Sequence, residues 1–183
     1  MKYSPTRTDF ATFATIDRLL APAAPQAEIK AALGSDQWQV QQAALWAVAA
    51  RPDAAFADAV FALLDEQDSL AIYGSKDHWT YEDADPVLQE EHRCRFRVLQ
   101  AGVMALAAIA ARLGAGDQAR ARAVARIEHY ATSMADDYAV RAEACRALGA
   151  LAAPSSRHIL ELASNDGEWC TATEAKKSLA RLA

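Results

Sequence analysis

Four times in this chain an aromatic residue heads the same short apolar pattern: Trp38, Phe96, Tyr138 and Trp169. Two residues on stand Val40, Val98, Val140 and Thr171; six on stand the small residues Ala44, Gly102, Ala144 and Ala175; ten on stand Val48, Leu106, Leu148 and Leu179. Steps of four residues keep the last three positions of each copy on one stripe of an α-helix. The small residue in the middle lets a neighbouring helix approach closely. A face written four times cannot be buried within one copy, so successive copies must stack on one another. The fold class expected is therefore all-α, a short α-solenoid of helix pairs.

The composition agrees with that reading. Hydrophobic residues make up 52% of the 183, much of it alanine, the strongest helix former. Only 7 Gly and 6 Pro are present, too few for the many turns of an all-β fold. The length suits a single domain, 1–183, with a core of ordinary size.

Local signals place the helices. A first helix is expected within the N-terminal 1–22, over about Thr8–Ala21, with Phe10, Phe13, Ile16 and Leu20 at helical spacing and Thr8 or Asp9 as cap. A short helix with Ile29 and Leu33 closes at Gly34. Asp36 then caps a helix over Gln37–Ala50, stopped by Arg51-Pro52. From Asp53 a helix carries Phe56, Val60, Phe61 and Leu64. Asp85-Pro86 starts a long helix reaching about Leu113, closed by Gly114 and Gly116. Helix pairs follow at about 117–133 with 136–152 and 155–164 with 168–182, separated by Pro154, with Asn165-Asp166-Gly167 as the turn inside the last.

The segment Asp136-Asp137-Tyr138-Ala139-Val140-Arg141-Ala142-Glu143-Ala144-Cys145-Arg146-Ala147-Leu148-Gly149, and less closely Asp36 to Leu45, resembles the HEAT-like repeat family, including the shorter variety found in phycobilin lyases. The resemblance runs from about residue 25 to the end and concerns fold. It implies a ladder of Asp-then-Arg pairs, complete here only at Asp136 and Arg141. The corresponding pairs are Asp36 with Gln41, Cys94 with Leu99, and Gly167 with Ala172.

The aromatic heads lie 58, 42 and 31 residues apart, and the excess in the first interval falls in an unpatterned insertion, 68–85. Between Asp65 and Arg93 the net charge is −7, whereas the whole chain carries −5. The same stretch holds Tyr73, His78, Trp79 and Tyr81. A long loop in a helical domain with aromatics beside carboxylates has the make-up of a protein-binding element. The candidate partner-binding residues are Tyr73, Asp77, His78, Trp79, Tyr81, Glu82 and Asp83. The competing reading makes Trp79 and Tyr81 a structural lid over one edge of the stack.

Enzyme readings find less. No Gly-rich phosphate loop, Gly-x-Ser-x-Gly elbow or His-Glu-x-x-His motif occurs. Glu91-His92 and Glu128-His129 are similar to the His-Glu steps of di-iron HEAT-repeat hydroxylases such as deoxyhypusine hydroxylase, but in reversed order and only twice. Arg112, Arg120, Arg122, Arg126, Arg141 and Arg146 form a local basic run of the kind HEAT-like DNA glycosylases use. A net charge of −5 disfavours a general nucleic-acid binder. No catalytic residue, metal ligand or cofactor is assigned. Cys94, Cys145 and Cys170 are odd in number and form no CxxC pair, as in a reducing compartment. No signal-like run or membrane-length apolar stretch is read, so a cytoplasmic location with no membrane partner is expected.

The function expected is a non-catalytic adaptor or inhibitor. Its concave face and acidic–aromatic insertion would bind another protein with a basic surface, in a narrower version as an immunity protein against a basic toxin. The alternative is a HEAT-like enzyme, a DNA glycosylase or a bilin lyase or chaperone.

Overall fold

The computed structural model describes residues 10–69, 86–133 and 138–182, with the side chains of Ser69 and 86–93 outside that description. Among these residues there are nine α-helices and no strand: α1 Phe10–Leu20, α2 Gln26–Leu33, α3 Trp38–Ala50, α4 Ala57–Ser69, α5 Pro86–Arg112, α6 Gln118–Thr132, α7 Tyr138–Leu151, α8 Arg157–Ala163 and α9 Trp169–Arg181. The all-α class expected from the sequence is the class found. Short 3-10 turns at Ala54–Phe56 and Pro154–Ser156 lead into α4 and α8.

The odd-numbered helices form one layer. α1 packs on α3, α3 on α5, α5 on α7 and α7 on α9. Several contacts fix their direction. The Thr171 hydroxyl donates to the Tyr138 carbonyl, 3.3 Å, at the start of both α9 and α7. Near their ends, Gly149 lies against Ser178, where a Cβ on residue 149 would collide. Two contacts at matching heights make α7 and α9 parallel. Thr12 reaches Gln37 at the head of α3 while Arg51, just past its end, reaches the Leu19 carbonyl, so α1 is parallel to α3. α4 runs opposite to α5, with Leu64 against Gly102 and Gln67 beside Arg95. The Arg97 guanidinium lies 5.1 Å over the Trp38 ring, which sets the heads of the repeated pattern in α3 and α5 at one height.

This layer buries the repeated pattern. Val40, Val98, Val140 and Thr171 are buried, as are Ala44, Gly102, Ala144 and Ala175, and Val48, Leu106 and Leu148. Leu179, in the terminal helix, is half-buried. The aromatic heads differ from the positions they lead. Trp38, Tyr138 and Trp169 are each the first residue of their helix, whereas Phe96 lies within α5 because that helix starts at Pro86. Trp38 and Phe96 are half-buried, Tyr138 is exposed and Trp169 is 76% exposed. The heads therefore mark an edge of the layer.

Parallel packing gathers the helix C-termini at one edge, where the last carbonyls lack intrahelical donors and the dipoles place partial negative charge. Arginines meet them. Arg51 donates to the carbonyls of Leu19, Pro22 and Ala24; Arg120 bridges those of Ala110 in α5 and Leu151 in α7; Arg157 donates to that of Leu182 beyond α9.

The second layer is joined by ions. Asp68 of α4 accepts from the Tyr130 hydroxyl at 3.0 and 3.1 Å and from Arg126, and faces Arg95 of α5 at 3.6 Å. Arg126 also binds Asp65, and Arg122 pairs with Asp58 while lying over the Phe61 ring. Burial beside the Asp68 carboxylate pushes the Tyr130 hydroxyl well above its ordinary pKa, so it stays protonated and donating.

Three local expectations are corrected here. Asp36 does not cap α3: Gln37 holds the cap position without a side-chain bond, and its own N–H donates to Ser35 Oγ. Asp68, expected in the insertion, belongs to α4. In α1 the buried residues are Thr12 and Leu19, with Phe10, Phe13 and Leu20 turned outward. The apolar residues of this helix span more than one stripe, and packing on α3 selects the one that includes Thr12, Ile16 and Leu19.

Cys94–Arg112 is long and apolar enough, at mean hydropathy 1.4, to cross a membrane by composition, and 61% of that window is buried inside the protein. The buried part is packed against α3, α4, α6 and α7.

Leu148 is fully buried in α7, where the two neighbouring helices meet. Leu148→Ala is expected to cost about 2–5 kcal/mol through lost transfer energy and a cavity. Urea denaturation measures it. A loss below about 1 kcal/mol contradicts the packing described.

Candidate functional site

Three packed helices of the odd layer leave a single stripe open. Counting from the aromatic heads, the buried positions lie two, six and ten residues on, and the position eight on faces away from them. On α3 this position is Trp46, 41% exposed; on α5 it is Met104, 36% exposed. On α7 it is Arg146 and on α9 it is Lys177, with side chains 52% and 58% exposed. Because the helices are parallel and level, these four residues line up in one row across the layer. Half the row is apolar and half cationic.

The cationic half is built from two matching pairs. Arg146 donates to Glu143, three residues before it, and Lys177 donates to Glu174, also three before it, at 2.7 Å. Glu143 and Glu174 occupy the same position in their two helices. Glu143 is buried, and that burial pushes its pKa up; Arg146 opposes the shift and the neighbouring Glu174 adds to it. Each pair fixes a cation with donors to spare: an arginine has five N–H groups and a lysine three.

Charge is segregated in the same sense. Helices α3, α7, α9 and the 94–112 part of α5 carry eight Lys and Arg against two Glu, a net +6, in a chain of net −5. The exposed charged residues of these segments are Arg97, Arg112, Arg146, Lys176, Lys177 and Arg181.

The arginine run read from sequence does not form one patch. Arg120 caps α5 and α7, Arg126 joins α4 to α6, and Arg141 is buried against Asp166 at 2.9 and 3.3 Å. Arg122 pairs with Asp58. Arg112 and Arg146 are exposed. Arg141 pairs with an aspartate that the spacing did not reveal. Asp166 stands three residues before Trp169, whereas the pattern was counted from two before, and Asp136 lies outside the described residues. In the first copy Gln41 takes the equivalent place and donates to the Ser35 carbonyl at 2.6 Å.

The expected partner-binding residues Tyr73, Asp77, His78, Trp79, Tyr81, Glu82 and Asp83 all lie outside the described residues. Of the two Glu-His steps, Glu128 accepts from Ser156 at 2.7 Å and His129 is exposed, while the side chains of Glu91 and His92 are not described. Among the described residues no group of three His, Cys, Asp or Glu could hold a metal ion, and Cys94, Cys145 and Cys170 form no disulfide. Burial pushes the Cys145 thiol up to about 12, which removes it as a nucleophile near neutral pH.

Two shallow grooves lie elsewhere. One of about 360 Å³ runs between α6 and the turn after α7, and one of about 390 Å³ lies beside the α8–α9 turn. Their charged side chains are already engaged: Arg120 on carbonyls, Glu128 on Ser156, Asp166 on Arg141.

Glu143 supplies a pH test. A carboxyl raised in the folded state binds more protons there than in the unfolded chain. Its contribution therefore weakens stability as pH rises from the ordinary glutamate value of 4.5 through the higher folded value. Glu143→Gln is expected to remove that decline, so that variant and wild type diverge in melting temperature as pH rises from about 4 to 7, the variant ending higher. Parallel curves contradict the buried carboxyl.

No protein-family model matches the chain, and no curated protein does.

Proposed function

We propose that the chain is a short solenoid of HEAT-like helix pairs serving as a non-catalytic protein-binding scaffold, an adaptor or inhibitor. The row of Trp46, Met104, Arg146 and Lys177 carries this reading. Large apolar side chains half in water, bordered by arginine and lysine held in place, are the make-up of a contact surface with anchors and a polar rim. The described residues offer no comparable gathering of a nucleophile, base and oxyanion donors. The acidic–aromatic insertion, with Trp79 and Tyr81 as anchors, is a second contact element in this proposal, and its acids are the basis for a partner with a basic surface, such as a toxin held by an immunity protein.

One observation favours a different reading, the binding of nucleic acid. The odd layer is net positive, as a phosphate-binding face requires. Against it, Glu143 and Glu174 sit among the cations, and Arg120, Arg126 and Arg141 are occupied within the fold.

Capture from a lysate of the source cells distinguishes the two. The expected result is one protein retained in stoichiometric amount, weakened by Met104→Asp and by replacing 70–85 with a Gly/Ser linker. Retention of nucleic acid, removed by nuclease and unaffected by Met104→Asp, contradicts the proposal.

A further inference from the structure

We infer that the open row binds an acidic, extended segment of a partner protein, lying across the helices with apolar side chains on Trp46 and Met104 and carboxylates on Arg146 and Lys177. The inference rests on the protein-binding reading above and adds the chemistry and layout of the ligand.

Charge complementarity sets the class of ligand. Every exposed charge along the row is a cation, and Arg146 and Lys177 are each paired with a glutamate three residues before. An incoming carboxylate meets Arg146 or Lys177 from the solvent side, where their remaining donors lie, while Glu143 and Glu174 keep the side chains from swinging away. A polyphosphate chain is less well suited. Its charges repeat at every residue, whereas two of the four positions in the row are apolar.

Spacing sets the layout. Packed helices lie about 8–10 Å apart, so the three steps from Trp46 to Lys177 span about 24–30 Å. An extended chain in the polyproline II conformation advances about 3.1 Å per residue with about three residues per turn, so side chains three apart share a face, one helix step corresponds to about three residues and the row to about ten. The ligand is therefore a segment with apolar side chains at its first and fourth positions and carboxylates at its seventh and tenth. A helix of that length covers only about half the row. The order also gives polarity: the apolar end lies over α3 and α5, the acidic end over α7 and α9.

The probe is a fluorescein-labelled ten-residue peptide with Leu at positions 1 and 4, Glu at 7 and 10 and Ser or Gly elsewhere, read by anisotropy against the full chain. Binding is expected to weaken about tenfold or more in Arg146→Glu and in Lys177→Glu, and as much when the peptide's Glu residues become Lys. Arg146→Gln should lie between wild type and Arg146→Glu, and Met104→Ser should weaken binding with little change in its salt dependence. Circular dichroism checks that each variant is folded; because Arg146→Glu leaves the buried Glu143 without its partner, Arg146→Gln and Lys177→Glu carry the test if that variant does not fold. Absence of peptide binding, or equal binding by the charge-reversal variants, overturns the inference. So does displacement of the peptide by an equimolar ten-nucleotide single strand. If a protein partner is still captured from lysate in any of those cases, the scaffold reading stands and this ligand alone is wrong. If none is captured, both fall.

Discussion

Close approach of parallel helices is the constraint from which the rest of this structure follows. Ala44, Gly102, Ala144 and Ala175 are all buried, and Gly102 makes room for the Leu64 side chain of the antiparallel α4. At Gly149 the tolerance is smaller still, since a Cβ there would run into the backbone and side chain of Ser178. Helices packed this tightly in one direction align their dipoles and leave several carbonyl ends at a common edge, a repulsive arrangement if left alone. Arg51, Arg120 and Arg157 neutralise that edge, and Arg120 fixes α5 level with α7 by holding a carbonyl of each. Register and electrostatics are thus settled by the same side chains.

That levelness makes the open row possible. Four residues of unlike chemistry, Trp46, Met104, Arg146 and Lys177, share one position only because the repeated patterns of their helices pack in register, although α5 itself starts earlier, at Pro86. Tilting or sliding one helix by a turn would displace its member by about 5.4 Å and break the row. The even-numbered layer has a different role: Asp68, with Tyr130, Arg126 and Arg95, ties α4, α5 and α6 together by charge where apolar contact between α4 and α6 is sparse.

The buried columns were legible in the sequence because each holds one kind of residue, and most helix ends were legible from Gly34, Pro52, Gly114 and Pro154. Partners far apart in the chain were not. Arg126 finds Asp68 at a separation of 58 residues and Arg141 finds Asp166 at 25, so a run of arginines that looked like a basic patch is largely internal. The outward face of α1 was misread because Phe10, Phe13 and Leu20 are apolar yet lie off the stripe that α3 selects. The open row left no signature, since a tryptophan, a methionine, an arginine and a lysine share no pattern until the helices are stacked. The insertion drew attention for its composition, and its residues 70–85 lie outside the described structure.

The central claim is the shared height and face of positions 46, 104, 146 and 177, and a distance across the layer tests it directly. With Cys170→Ser removing the one half-exposed thiol, spin labels at Trp46→Cys and Lys177→Cys should show a single narrow distance distribution in pulsed EPR. Three helix steps place it at about 24–30 Å, broadened by the label arms. A distribution centred beyond about 45 Å, further than three packed helix steps and two label arms can reach, would mean the helices do not stack in register, and the open row with everything built on it would be wrong.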